Sequence, residues 1–112
     1  DVVPLLLDDI WQRGMLRKGH GLCHGVSGNG LMFLAHYRAT RDHKSLVRAC
    51  HFAHAAMTSN ELVQGTMSGD DPYSLFNGFG GRVVFLLELR AVLDARPSDV
   101  PPAFLRVLGF LV

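Results

Sequence analysis

An internal repeat constrains the fold of this chain more than any other feature. Leu22-Cys23-His24-Gly25-Val26-Ser27-Gly28 aligns with Leu75-Phe76-Asn77-Gly78-Phe79-Gly80-Gly81. The apolar runs that follow, residues 31–34 and 84–87, align as well. The offset is 53 residues, room for two helices and two loops. Repeats of this period stack as helical hairpins, each burying its apolar face on a neighbour. The glycines of each copy suit a helix start, because a missing Cβ lets backbones approach closely.

Apolar spacing places the helices. Leu5, Leu6, Ile10, Trp11, Met15 and Leu16 recur at helical intervals, so residues 3–17 are expected to be helical, with Pro4 in the first turn. Residues 18–25, with Gly19, Gly21 and Gly25, read as a loop. A second helix is expected over about 27–41, with Leu31, Leu34, Ala35 and Arg38 on one face. Asp42 reads as the cap of a third helix, 43–57, whose face carries Leu46, Val47, Cys50, Ala53 and Met57. Residues 58–73 form a polar loop holding Asp70-Asp71-Pro72. The fourth helix is expected over 78–95, with Ser74 at or near its N-cap and Pro97, Pro101 and Pro102 ending it. No stretch alternates as a strand does, so the fold class is all-α, built from helical-hairpin repeats.

Four helices are too few to close a ring of such hairpins. The 112 residues run from Asp1 to Phe110-Leu111-Val112, with 48% hydrophobic and 19% charged residues. That balance suits a buried piece of a larger helical body, and residues 1–112 are expected to be one part of a single domain. The net charge of +1 has no basic stripe behind it, which argues against nucleic acid. No apolar run approaches the ~18 residues of a membrane span. Residues 2–7 lack the basic flank of a signal peptide. Two cysteines, Cys23 and Cys50, are too few for a secreted disulfide framework, so a reduced, cytoplasmic setting is expected.

Cys23-His24 is where chemistry is expected. Zinc takes cysteine sulfur and histidine nitrogen, and a catalytic site keeps one position open beside three protein ligands. The flanking glycines let adjacent side chains converge on one point. The second repeat carries Phe76-Asn77 at the same places, so the scaffold itself does not need a Cys-His pair. The rival reading is a buried cysteine beside a polar turn histidine. His20 is either a solvated loop residue or a wall of the pocket, and Lys18 is either solvated or an anchor for a substrate carboxylate. Cys50, His51 and His54 read as a small buried thiol flanked by histidines on a more polar side. Asp70-Asp71 before Pro72 read first as a turn. Gly28-Asn29-Gly30 is no phosphate loop, since no strand precedes it and no Lys-Ser/Thr follows.

The stretch Lys18-Gly19-His20-Gly21-Leu22-Cys23-His24-Gly25-Val26-Ser27-Gly28-Asn29 resembles a signature of the LanC-like proteins, eukaryotic relatives of the bacterial lanthionine cyclases. Asp71-Pro72-Tyr73-Ser74-Leu75-Phe76-Asn77-Gly78-Phe79-Gly80-Gly81 looks like the next repeat start of that family, and residues 47–53 look like its intervening helix. The resemblance covers about residues 8–90.

It implies an α/α toroid of helical hairpins, of which this chain is the C-terminal stretch. Cys23 and His24 would be two of three protein ligands of a catalytic zinc, the first being an upstream cysteine. The implied activity is addition of a zinc-activated thiol, glutathione, to dehydroamino acids in peptides or proteins. Lys18 would lie near the glutathione and His20 would line the site. Attachment to the plasma membrane periphery would rest on other parts of such a protein. Two positions depart from the pattern. Residues 65–69, Gly-Thr-Met-Ser-Gly, hold no base where many relatives place an arginine, and an acidic repeat position is Asn77. The alternatives are a non-catalytic zinc-containing binding module and an unrelated helical scaffold with a chance Cys-His pair.

Overall fold

Pro4 opens the first helix, where its missing N–H has no intrahelical partner to lose. The computed structural model describes residues 1–15, 19, 21–23, 25–58, 75, 76 and 78–95, and every regular element among them is a helix. These are α1 (Val3–Arg13), α2 (Val26–Thr40), α3 (His43–Thr58) and α4 (Phe79–Ala95). The all-α class expected from the sequence is the one observed, and helical hairpins of this kind are the units of an α/α toroid. Among the described residues no helix is long and apolar enough to cross a membrane.

The repeat survives as geometry. α2 begins at Val26 and α4 at Phe79, the same 53-residue offset that aligns the two motifs. Two residues, Arg41 and Asp42, join α2 to α3 as a helical hairpin. Arg41 takes the left-handed conformation at φ 59°, and its N–H closes on the Tyr37 carbonyl at 2.7 Å. Asp42 then caps α3, its Oδ1 accepting the Lys44 N–H at 3.0 Å, as the sequence predicts.

α2 is central, packing on α3, α4 and α1. Its inner face is Gly30, Phe33, Leu34 and Tyr37, and these are fully or nearly fully buried. The expected face is thus rotated: Leu34 is inside, Leu31 is half-buried, and Ala35 and Arg38 face solvent. Aromatic volume explains the difference, because Phe33 and Tyr37 seek burial more strongly than Ala35 and the Arg38 stem. α3 buries Leu46, Cys50 and Ala53 as expected, together with Ala49, Phe52 and Ala56, while Val47 and Met57 are half-buried.

α1 stops at Arg13, short of the expected residue 17. The Gly14 N–H still bonds Ile10 at 2.7 Å, but the Gly14 carbonyl accepts from Asn29 Nδ2 at 2.7 Å. The Asn29 side chain on α2 thus ties down the C-terminal end of α1. The α1 face that packs is Leu7, Ile10 and Trp11. Leu5, Leu6 and Met15, expected on the apolar face, are exposed. α4 starts at Phe79, directly after Gly78 and one residue from the expected start at 78. Ser74 itself lies outside the described residues, as do the polar loop and the apolar tail.

Candidate functional site

A tight glycine-rich turn carries Cys23 into α2. Gly19 adopts φ 88°, a conformation that side chains disfavour. Its carbonyl accepts the Val26 N–H at 3.2 Å. The Gly21 carbonyl accepts from Gly25 at 3.2 Å and from Gly28 at 3.4 Å. Two of the first N–H groups of α2, those of Val26 and Gly28, are thus met by the turn that precedes it. Gly25 is the extended N-cap residue, and Cys23 stands exposed on the turn as a free thiol. The rival reading of Cys23 as a buried cysteine therefore does not hold.

The second repeat leans on this turn. The Cys23 N–H donates to the Phe76 carbonyl at 2.9 Å. Cys23 and Phe76 are the equivalent positions of the two motifs, so the copies meet at matching residues. Phe76 and Leu75 are both exposed, which places apolar surface on the turn that abuts the Cys23 turn.

Of the other expected site residues, Lys18, His20 and His24 lie outside the described residues. The donor chemistry that is described fits a metal ligand, in that one accessible thiol stands on a hydrogen-bonded turn. Among the described residues no three His, Cys, Asp or Glu side chains gather as a ligand set. Cys50 is a different kind of thiol. It is fully buried in α3, and desolvation pushes its pKa up to about 12. His51 instead lays its ring against Trp11, centroids 5.6 Å apart.

Sequence reasoning missed the polar junction of α1 and α3. Arg48 donates to Asp8 at 2.8 Å and lies over the Trp11 ring at 5.0 Å. The hydrogen bond from Arg48 holds the Asp8 carboxyl below the ordinary aspartate range. Arg48 alone gives no signal in the helical pattern, because its partner is 40 residues away. A cavity of about 350 Å³ lies between Arg38, Arg41, Val92 and Ala95. Those residues cap the far ends of α2 and α4. A 15-residue helix is roughly 20 Å long, so this cavity is remote from the Cys23 turn.

The sequence profile described as lanthionine synthetase C-like protein matches residues 5–105. A zebrafish (Danio rerio) protein named glutathione S-transferase LANCL1 is 50% identical over 80 residues, which cover 71% of this chain and 19% of that relative. The chain thus spans about a fifth of the relative's length. With the helical repeat, the Cys23 turn and a match over nearly its whole length, the chain belongs to the lanthionine synthetase C-like family.

Proposed function

We propose that this chain contributes Cys23 and His24 as ligands of a catalytic zinc, in an enzyme that adds the thiol of glutathione to dehydroamino acids in peptides or proteins. The observation that carries this reading is the exposed Cys23 thiol, fixed on a turn at the one repeat copy that has a Cys-His pair. The name of the zebrafish relative supports a glutathione substrate. When bound, zinc would keep a substrate thiol as thiolate at neutral pH. Cys23 and His24 would hold and orient that centre, so that reaction would follow from placement as well as from charge. Lys18 would pair with a carboxylate of glutathione. His20, three residues before Cys23, would line the site and donate the proton that completes the addition. In that addition the sulfur bonds the β-carbon, the carbon–carbon double bond is lost, and the proton goes to the α-carbon. Two free cysteines fit a reduced, cytoplasmic setting.

A second reading is a zinc-containing binding module without turnover. The absence of a basic residue in residues 65–69 favours it, since the family resemblance implies an arginine there.

The test is zinc per chain in the protein that carries this segment, beside Cys23→Ala, followed by glutathione addition to a dehydroalanine peptide. About one zinc, lost in the variant, with thioether formed only by the wild type, supports the enzyme. Zinc without thioether supports the binding module. No zinc under reducing, metal-replete conditions ends both.

A further inference from the structure

Cys23 is held from two sides, and one of them lies far along the chain. Within its own repeat, a Cβ on Gly28 would overlap the Leu22 carbonyl oxygen. From the second repeat, a Cβ on Gly81 would fall 2.8 Å from the Leu22 amide nitrogen and 3.0 Å from the Gly21 carbonyl carbon. It would also fall 2.8 Å from the Leu75 carbonyl oxygen. All of these atoms are backbone, which cannot swing aside as a side chain can. The first turn of α4 therefore lies directly against the two residues that lead into Cys23. Five residues before Gly81, the Phe76 carbonyl takes the Cys23 N–H at 2.9 Å.

We infer that Gly81 is a positioning residue for the Cys23 thiol, acting with the Phe76 carbonyl as the part of the second repeat that sets where the sulfur stands. Gly81 reaches no substrate and holds no ligand. Its lack of a side chain lets α4 approach until the Phe76–Cys23 bond can close. The repeat then has a division of labour: one copy supplies the thiol and the other fixes its place. Partners that orient metal ligands typically change metal affinity by about 10–100-fold when altered. The inference rests on the zinc reading above for its role, but the positioning itself is a property of the metal-free chain.

The test compares four variants in the protein that carries this segment: Gly81→Ala, Phe76→Gly, Phe76→Ala and Gly30→Ala. Gly30 is a steric control, since its contact is the Phe85 ring and not the Cys23 turn. Two quantities are read beside the melting temperature. One is hydrogen exchange of the Cys23 amide in metal-free protein, and the other is zinc retention against a chelator. Gly81→Ala is expected to speed Cys23 exchange and weaken zinc about tenfold or more. Gly30→Ala is expected to lower the melting temperature with little change in either. Phe76→Gly loosens the acceptor without a clash, and is expected to follow Gly81→Ala more weakly. Phe76→Ala removes the ring but keeps the backbone bond, and is expected to retain Cys23 protection and zinc better than Phe76→Gly. If Gly81→Ala fails to fold, Phe76→Gly against Phe76→Ala decides. Equal effects of the Gly81 and Gly30 variants, or of the two Phe76 variants, overturn the inference. A wild type without zinc removes the zinc reading alone, because Cys23 exchange still separates the variants.

Discussion

The tip of the Phe85 ring in α4 packs against Gly30 in α2, so close that a Cβ on Gly30 would overlap Cζ and lie 2.7 Å from Cε2 and 2.9 Å from Cε1. Phe85 is fully buried and has no room to retreat. Gly30→Ala therefore sets two effects against each other. Alanine favours a helix over glycine by about 1 kcal/mol, while overpacking a core costs about 1–3 kcal/mol. The contact is severe enough that overpacking should win. We expect a net loss of stability in urea unfolding, restored in large part by Phe85→Leu in the same chain. A double variant no better than the single one would show that the ring is not the obstacle.

The same pair shows how much of this fold is legible in the residues. The repeat offset, the four helices and the Asp42 cap can be read directly, because apolar period and capping are local properties of the chain. The inner face of α2 cannot. Leu31, Leu34, Ala35 and Arg38 obey the helical period as well as Gly30, Phe33, Leu34 and Tyr37 do. The choice between them is made by Phe85 and Phe52 on other helices. The end of α1 is likewise decided from outside, by the Asn29 amide on the Gly14 carbonyl. At the candidate site, composition and spacing single out Cys23, whose exposure the structure then establishes. The pairing of its N–H with Phe76 follows from the packing of one repeat on the other, which is not a property of either segment alone.

Arg48 links α1 and α3 through Asp8 and through the face of Trp11. The sign of its pH dependence follows from the carboxyl. The folded pKa of Asp8 lies below the ordinary aspartate value, chiefly through the hydrogen bond from Arg48. Its contribution is therefore present above the unfolded pKa and is lost as the pH falls through the folded one. Asp8→Asn should lower the melting temperature at neutral pH, and the gap to wild type should close as the pH drops below the aspartate range. Arg48→Ala removes the same bond and also uncovers Trp11. Its side chain is only 12% exposed. It should therefore be the worse variant, by about 1–2 kcal/mol of cation–π and packing energy, and should leave a deficit at acid pH. Parallel melting curves for both variants at every pH would refute the link.

Asp42 stabilises the start of α3 by one side-chain bond to the Lys44 N–H. Asp42→Ala leaves that donor to water and should cost about 1 kcal/mol in urea unfolding. Asp42→Asn keeps an acceptor oxygen and should recover most of it. The connection between α2 and α3 is only two residues long, so fraying here loosens the hairpin that carries Phe33 against Phe52. Loss in Asp42→Asn as large as in Asp42→Ala would point to the charge at the helix N-terminus rather than the hydrogen bond.

The two cysteines should separate completely in a labelling experiment. Cys23 is exposed, while Cys50 is fully buried with its pKa pushed up to about 12 by desolvation. A maleimide added to the native, metal-free protein should modify Cys23 within minutes and leave Cys50 untouched until the chain unfolds, as read by peptide mass spectrometry. Raised above the ordinary thiol value, the Cys50 pKa makes a contribution that is present at neutral pH and is lost as the pH climbs above about 9. Substitution should sort the same way. Cys50→Ala leaves a small void, whereas Cys50→Ser buries a hydroxyl in an apolar setting at a cost of about 1–3 kcal/mol if it finds no partner. Cys50→Ser should therefore be the less stable of the two, although serine is closer in size. Neither should change zinc content, which Cys23→Ala is expected to abolish. Native labelling of Cys50 as fast as Cys23 would mean that α3 opens locally, and would remove the basis for treating the two thiols as different in kind.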